Sequence, residues 1–382
     1  MKNNMVTIYA CSCTYKEGKL YCLAKNFNLI FSVDLQDERI ELIDAVPDEN
    51  ILSGNLFGDI KLWNNKLILS PWTTQKVCIY DMISKQWESF SINEYEHQGF
   101  VEINQMYIYN DFVYMIGSNY PAILCLNLEN NTCDYIEGPY KEVKERHPDI
   151  DFSYFRIHGV QLDNFLYLAS CLDNYVLKFD MDTREYQWIE VGNTDYIYSQ
   201  ITWDGSNFWL APRLNCDIVK WDGKNGTKII PLPSELKKVA NTHAWYALYD
   251  GSQVVFPCLT HPESIIIDIQ KDSIQIQKQQ YTHLCTRLDN GMVVCQTPDG
   301  ILSVKTDDQS AKTYNMSIDS DRLKEFYEEK NRKVLNNHML YQEARRGQML
   351  SMENYITFTE KKDSKQPIAD SQTGKKIWEK IK

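Results

Sequence analysis

Long apolar runs are missing from this 382-residue sequence. No stretch approaches the roughly 18 consecutive apolar residues of a membrane-spanning helix. Glycine and proline are scarce, with 16 and 12 residues, which excludes a collagen-like or low-complexity chain. The first residues, MKNNMVTIYACSC, contain one lysine and no apolar core of secretory length, so the sequence predicts no signal peptide. We therefore expect a cytoplasmic protein that makes no contact with a membrane.

Paired metal-binding cysteines are also missing, because none of the 11 cysteines forms a CxxC pair. Their odd number and irregular spacing do not suit a disulfide framework. Most lie in apolar runs, as in VCIY around Cys78 and ILCL around Cys125, where reduced cysteine behaves as a small buried hydrophobe. Cys11 and Cys13 would share one face of a strand, but two ligands do not complete a zinc site. We predict a reducing compartment, no metal and no other cofactor.

The short motifs of common enzyme classes are absent: the GxSxG elbow, the Walker loop, HExxH and the dinucleotide fingerprint. The net charge is −12 at pH 7. Residues 318–382 hold 14 Lys/Arg against 11 Asp/Glu, whereas the rest of the chain holds 26 against 41. An acidic body repels a phosphate backbone, so we predict no nucleic-acid partner.

What the sequence does contain is an internal repeat. An apolar run, a polar gap and a second apolar run ending in Asp or Asn recur every 42 to 53 residues. Six full copies and a shortened seventh begin at Leu20, Leu67, Val113, Leu166, Phe208, Val254 and Met292. In each full copy a polar anchor lies 14 residues after the start, at Asp34, Asp81, Asn127, Asp180, Asp222 and Asp268. We interpret the anchors as structural caps of the following hairpins, because Asx side chains accept backbone N–H bonds in turns.

Each repeat is predicted to form four short antiparallel strands. Runs of four to six residues rich in Ile, Val, Tyr and Trp are separated by turn signals such as Asn64-Asn65 and Asp204-Gly205. Four strands in about 45 residues are typical of a β-propeller blade. We predict an all-β, seven-bladed β-propeller over residues 6–317; six blades with one degenerate unit are the alternative.

The end of the third strand resembles kelch-type propeller repeats. Tyr80-Asp81 and Trp221-Asp222 occupy that position, and Trp87 and Trp188 follow the next turn. The Gly-Gly pair that defines kelch repeats is absent from every copy. The sequence also resembles the looser bacterial propellers of the NHL and YVTN groups. The resemblance covers about residues 6–316, implies architecture only, and carries no catalytic residue to this chain.

Two segments depart from the repeat. Residues 318–382 predict a mainly helical C-terminal extension, with a start signal at Asp319-Ser320-Asp321 and a partial apolar stripe at Leu323, Phe326 and Tyr327. We interpret this extension as a cap on the propeller, with a docking element for a partner as the alternative. Residues 138–155 form a charged insertion, which we interpret as a surface loop rather than a lid.

Candidate binding residues follow from the predicted topology. Propeller ligands bind over the central channel, where the loops between strands 2 and 3 and the connections between blades converge. The 2–3 loops carry Trp72, Tyr120, Arg213 and His261, and the starts of the innermost strands carry Arg156, His158, His243 and His283. Guanidinium and imidazole groups at one mouth favour an anionic or sugar-like ligand, and imidazole also serves as a base.

These observations predict a non-catalytic binding module. Its loops and central funnel would be presented to a protein partner or to a small polar or anionic ligand. The alternative is an enzyme, a lyase or hydrolase that uses the His and Arg residues on a carbohydrate or lactone-like substrate.

Overall fold

The computed structural model describes residues 5–51, 53–95, 101–149, 154–156, 158–213, 216–236, 245–258, 262–279, 281, 284–306 and 310–330. Seven four-stranded antiparallel sheets follow one another along the chain, and each is a meander of consecutive strands. The seven-bladed β-propeller is therefore confirmed, and the six-bladed alternative is wrong.

The strand boundaries define the blades. Blades 1 and 2 consist of β2 (Ala10–Lys16), β3 (Lys19–Ala24), β4 (Ile30–Asp34) and β5 (Ile40–Asp44), then β6 (Phe57–Trp63), β7 (Lys66–Pro71), β8 (Lys76–Asp81) and β9 (Gln86–Ser91). Blades 3 and 4 consist of β10 (Ile103–Tyr109), β11 (Phe112–Gly117), β12 (Ile123–Asn127) and β13 (Cys133–Ile136), then β14 (Val160–Leu162), β15 (Phe165–Ala169), β16 (Tyr175–Asp180) and β17 (Tyr186–Glu190). Blades 5 and 6 consist of β18 (Ile197–Trp203), β19 (Phe208–Arg213), β20 (Ile218–Trp221) and β21 (Thr227–Ile230), then β22 (Leu248–Tyr249), β23 (Gln253–Pro257), β24 (Glu263–Asp268) and β25 (Ser273–Lys278). Blade 7 consists of β26 (Cys285–Arg287), β27 (Val293–Gln296), β28 (Ile301–Lys305) and β29 (Ala311–Asn315).

Buried side chains form seven hydrophobic clusters, each between two neighbouring blades. Strand β7 shows how the sequence builds them. Leu67 and Leu69 pack against blade 1, whereas Ile68 between them packs against blade 3. Because successive side chains of a strand point to opposite faces, one apolar run supplies two clusters. A closed ring covers both faces of every blade.

The polar anchors cap the hairpins, as predicted. The Asp34 carboxylate accepts hydrogen bonds from the backbone N–H groups of Gln36 and Asp37, both at 3.0 Å. Equivalent pairs of bonds are made by the other five anchors, Asp81, Asn127, Asp180, Asp222 and Asp268. Asn serves as well as Asp in blade 3 because the turn needs an acceptor oxygen rather than a charge.

The two ends of the described chain close the ring. Strand β1 (Met5–Thr7) pairs with β30 (Ser317–Asp319), and the Ile8 N–H donates to the Met316 carbonyl at 2.8 Å. Val6 and Ile318 are buried in the cluster between blades 7 and 1. The two strands thus complete the same core.

A helix, α2 (Ser320–Glu329), begins at the predicted signal. The Asp319 side chain accepts the N–H groups of Asp321 and Arg322, which satisfies two donors of the first turn. Leu323 and Tyr327 are buried against the cluster between blades 7 and 1, and the Tyr327 hydroxyl donates to the Asn28 carbonyl at 3.1 Å. The helix therefore caps the propeller here. Residues 331–382 of the predicted extension lie outside the described residues.

The charged insertion after blade 3 is not a surface loop. It contains helix α1 (Gly138–Arg146), in which Tyr140 and Val143 are buried between blades 3 and 4. The Tyr140 hydroxyl donates to the Gly117 carbonyl at 3.0 Å. The expectation was wrong because two apolar residues three apart are enough to pack one face of a short helix, even among many charges.

Candidate functional site

One position of the repeat forms the rim of the propeller mouth. It is the fifth residue after the start of each copy and follows or ends the second strand of its blade. The described rim residues are Lys25, Trp72, Ser118, Cys171, Arg213 and Thr297. In blades 1 to 3 the rim N–H donates to the carbonyl of the residue directly before the innermost strand, and in blade 4 it donates to Tyr154, six residues before β14, at 2.6 to 3.0 Å. The backbone of the rim is therefore alike in these blades while its side chains differ.

The innermost strands are bulged next to this rim. Their register shifts at Cys11, Gly58, Asn104 and Ser199 in blades 1, 2, 3 and 5. In blade 4, Arg156 lies two residues after Tyr154, whose carbonyl accepts the rim N–H, just as Cys11, Gly58 and Asn104 follow the acceptors of their own blades. Tyr246 of blade 6 is an electrostatic neighbour of Arg156. A bulge leaves one residue unpaired and redirects its side chain. Arg156 occupies the equivalent position in blade 4, so we place it and its neighbour Tyr246 at the mouth.

Charged side chains of the mouth act on one another. Burial lowers the pKa of the Arg156 guanidinium, and the positive charge of Arg213 lowers it further. Burial raises the pKa of the Glu102 carboxyl, which the hydrogen bond from Trp72 and the charge of Arg156 oppose. Trp72 Nε1 donates to Glu102 Oε1 at 3.3 Å. The group thus joins two cations and one carboxylate in partly buried surroundings.

The backbone around Glu102 is held in an unusual conformation. Its φ is +45°, in the left-handed region that side-chain-bearing residues seldom adopt. The Glu102 N–H donates to the Trp72 carbonyl at 3.1 Å, and the Ser118 N–H donates to the Glu102 carbonyl at 2.7 Å. Between the neighbouring rim positions of blades 5 and 4, Arg213 Nη1 donates to the Cys171 carbonyl at 3.0 Å. These bonds fix the carboxylate and one guanidinium before any ligand arrives.

Three of the predicted site residues meet at the mouth: Trp72, Arg156 and Arg213. The sequence predicted Arg156 and His158 at the start of an innermost strand. In the structure both lie just before β14, which begins at Val160. The electrostatic neighbours of His158 are Asp59 and Lys61, so it belongs to the channel and not to the arginine group. Burial lowers the pKa of the His158 imidazole, against the effect of the Asp59 charge.

Tyr120 does not join this group. Tyr120 is buried in the cluster between blades 2 and 3. Its hydroxyl donates to the Asn93 carbonyl at 2.8 Å, and its ring meets Tyr95 edge-on at 5.0 Å between centroids. Tyr120 therefore packs inside the ring of blades. His243, His261 and His283 lie outside the described residues.

Glu102, Tyr246 and Lys25 are residues of the mouth that sequence reasoning missed. Lys25 shares the rim position of Trp72 and Arg213, so counting from the start of each copy would have found it. Glu102 lies two residues before the bulge at Asn104, and no local sequence pattern marks that irregularity or the approach of Tyr246 to Arg156. Lys25 is buried.

Polar residues deeper in the channel are occupied by structural bonds. Asp59 Oδ1 accepts the Ser12 hydroxyl at 2.5 Å, and Oδ2 accepts the Met106 N–H at 2.8 Å. The Gln200 side chain exchanges two 3.1 Å bonds with the backbone of Ala247. These bonds join neighbouring innermost strands, so we interpret the side chains of Asp59 and Gln200 as structural rather than ligand-binding.

A separate groove of about 640 Å³ lies between α2 and the outer parts of blades 1 and 2. Tyr21, Glu41, Tyr80, Arg322 and Phe326 are among its lining residues. It lies on α2 and the blade flanks, whereas the arginine group lies on the rim, so the two are distinct.

Two further features concern metal binding and membrane crossing within the ranges given above. Within those ranges, no group of three or more His, Cys, Asp or Glu side chains is arranged to hold a metal ion. None of the described helices has the length and apolar character needed to cross a membrane.

No protein-family model and no curated protein matches the sequence. Among solved structures, the chain is similar to virginiamycin B lyase from Staphylococcus aureus, with a TM-score of 0.55, 10% identity, and coverage of 80% of this chain and 94% of that one. A streptogramin B lyase gives a TM-score of 0.51, 13% identity, and coverage of 81% and 93%. BamB from Moraxella catarrhalis gives a TM-score of 0.51 and 13% identity, with coverage of 78% of this chain and 84% of that one. At these identities the similarity shows the β-propeller fold alone.

Proposed function

We propose that this protein is a ligand-binding β-propeller whose mouth recognises a small molecule carrying a carboxylate or phosphate group. The observation that supports this is the pair of half-buried guanidiniums, Arg156 and Arg213, at one mouth. Like charges withdrawn from water repel each other, and a bound anion relieves that repulsion. The planar guanidinium also matches the geometry of carboxylate and phosphate oxygens.

Glu102 and Trp72 favour a ligand that has more than an anionic group. A carboxylate beside Arg156 accepts hydrogen bonds from ligand hydroxyls, and an indole supplies apolar surface for a ring. A hydroxylated ring with an acid group, such as a sugar acid, has both features.

Calorimetric titration with inorganic phosphate, glucuronate and uncharged glucose tests the proposal. We expect the anions to bind more tightly than glucose, and added salt to weaken them. Arg156→Gln and Arg213→Gln should each weaken anion binding by about tenfold or more. Arg184→Gln is the matched control, because Arg184 pairs with Asp134 at 2.8 Å on the outer strands. Anion binding that survives both mouth substitutions unchanged, or no anion binding at all, would contradict the proposal.

One observation favours the enzymatic alternative, a lyase or hydrolase. The pKa of His158 is lowered by burial, so its imidazole is neutral near pH 7 and able to accept a proton. That alternative predicts that a bound lactone is consumed and that His158→Ala stops turnover while binding persists. Binding without turnover supports the non-catalytic module.

The remaining predictions from the sequence concern the protein's surroundings. A protein partner, the docking role of residues 318–382, their separation from a propeller domain at residues 6–317, and the cytoplasmic location stay predictions. So does a kelch-like or NHL-like relationship.

A further inference from the structure

The two innermost strands of blade 7 place two cysteines opposite each other. Cys285 of β26 and Cys295 of β27 are register partners, and their Sγ atoms lie 2.9 Å apart. The residues next to this pair are joined through the backbone, since the Gln296 N–H donates to the Leu284 carbonyl at 3.0 Å. The cysteines therefore form a non-hydrogen-bonded pair, the kind in which Cα atoms are about 4.5 Å apart and side chains lie closest.

This arrangement suits a disulfide bond. The Cα atoms of disulfide-bonded cysteines lie roughly 4.4 to 6.8 Å apart, so the backbone of β26 and β27 accommodates the bond as it stands. Both cysteines are free thiols in the structure, and their sulfur atoms are already in contact. Rotation of the two side chains is the movement that joins them.

The pair lies beside the mouth. Cys295 is two residues before the rim residue Thr297, and both thiols are electrostatic neighbours of Tyr246. Cys295 is the more exposed of the two, at 7% against 3%, so an oxidant about the size of water meets it first. The hydrogen bond with Cys295, and then burial, raise the pKa of the Cys285 thiol well above its ordinary range, so Cys285 keeps its proton. Cys295 is therefore the sulfur that reacts first.

A covalent bond here would secure a short strand. Strand β26 spans three residues, whereas the innermost strands of blades 1, 2, 3 and 5 span seven. Strand β27 is in turn joined to blade 1, because the Gln296 side chain accepts the Ala10 N–H at 2.8 Å and donates to the Ile8 carbonyl at 2.9 Å. A bond between β26 and β27 therefore ties the short strand to the junction that closes the ring.

We propose that Cys285 and Cys295 are an oxidation site, where a peroxide converts the two thiols into a reversible disulfide. The Cys295 sulfur attacks one oxygen of hydrogen peroxide and the O–O bond breaks, which gives a sulfenic acid and one water. The Cys285 sulfur then attacks the sulfenic sulfur, and the S–O bond breaks as the S–S bond forms. The departing hydroxyl takes the Cys285 proton and leaves as a second water. The two thiols lose two electrons, which the peroxide accepts.

This proposal goes beyond anion binding at the mouth and does not depend on it. The reaction uses two sulfurs and a peroxide, and neither Arg156 nor Arg213 takes part. The two proposals therefore stand on different measurements.

The test is oxidation of the folded full-length protein. The protein is reduced with dithiothreitol, freed of it and treated with a small excess of hydrogen peroxide. Iodoacetamide in urea then blocks the remaining thiols, and trypsin digests the chain without reductant. Cleavage after Arg287 puts Cys285 and Cys295 on different peptides, so mass spectrometry detects the disulfide as a linked pair. We expect this pair to form in the folded protein and dithiothreitol to separate it again.

Variants complete the design. Cys285→Ser and Cys295→Ser should each abolish the linked peptides. In Cys285→Ser the sulfenic acid of Cys295 has no thiol opposite it, so dimedone, which reacts with sulfenic acids, should label Cys295. Cys133→Ser is the matched control, because Cys133 is partly exposed but has Leu126 as its register partner. This control should leave the linked peptides unchanged.

Three results would overturn the proposal. The first is a folded protein that forms no Cys285–Cys295 link with peroxide. The second is a link that appears only in urea. The third is disulfides between cysteines that are not register partners, formed as fast as this one. All three are read in the wild-type protein, so the question is decided even where a cysteine variant fails to fold.

Discussion

Two positions of the repeat illustrate how single residues divide between folding and binding. The anchor position holds Asp or Asn in six copies, because its oxygen closes a local turn. The rim position holds lysine, tryptophan, serine, cysteine, arginine and threonine in the described blades. In blades 1 to 4 the hydrogen bond that this position shares is made by its backbone N–H, so the fold does not depend on which side chain it carries. When the side chain varies at a position whose backbone is fixed, the binding properties of the mouth can change while the fold stays the same.

Lys25 also links the stability of the protein to pH. Burial lowers its pKa to about 7 in the folded protein, against about 10.4 in an unfolded chain. Between these values the unfolded state holds one more proton at Lys25, so the contribution of Lys25 to the free energy of unfolding rises with pH by about 1.4 kcal/mol per pH unit. Below pH 7 both states are protonated, and the full penalty of the buried ammonium is present.

We predict that Lys25→Met is more stable than the wild type at about pH 6 and that this advantage shrinks as the pH rises toward about 9. Urea unfolding of both proteins across this range measures the difference, in which groups common to both cancel. A gap that stays constant with pH would show that Lys25 keeps an ordinary pKa.

At the scale of the element, the sequence predicted the features that depend on residues close together along the chain. Strand alternation, hairpin turns and the Asp319 cap involve residues two to four apart, and all were confirmed. The bulges, and with them Glu102 at φ +45°, depend on contacts between strands and between blades. Tyr120 was misjudged for the same reason: its loop position is visible in the sequence, but the Asn93 carbonyl that holds it is 27 residues away.

In the described residues, neighbouring innermost strands are joined by side-chain hydrogen bonds rather than by backbone hydrogen-bond ladders. The bond pair between Gln200 and Ala247 links blade 5 to blade 6, and Asp59 links blades 1, 2 and 3 through Ser12 and Met106. Each bond satisfies a buried backbone or hydroxyl group that would otherwise lack a partner. The buried polar residues of the channel are therefore part of the framework that holds the mouth.

We predict that Gln200→Met lowers the free energy of unfolding by roughly 2 to 4 kcal/mol, since it leaves the buried N–H and C=O of Ala247 unpaired. Gln187→Met, on the exposed side of β17, should change it by less than about 0.5 kcal/mol. Chemical denaturation of the two variants provides the measurement. Equal stabilities would mean that the bond between blades 5 and 6 contributes nothing.

At the scale of the whole molecule, the mouth exists only if the ring is closed. Each cluster lies between two blades, so the last cluster must join blade 7 to blade 1. Strands β1 and β30 make that junction, and α2 covers it. The rim residues Lys25 and Trp72 on one side of the mouth and Arg213 on the other keep their relative positions through this closure.

Val6→Asp should break the closure. Val6 is 1% exposed within the junction and pairs with Ile318, so a carboxylate there would be buried without a partner, at a cost of about 4 kcal/mol. Met5→Asp is the matched control on the same strand, because Met5 is 44% exposed. Thermal unfolding followed by circular dichroism should show a lower and broader transition for Val6→Asp, since an opened ring lets terminal blades unfold separately from the rest. Hydrogen exchange should locate the first loss of protection in β1 and β30. A Val6→Asp transition as high and as sharp as that of Met5→Asp would mean that the ring holds together without this junction.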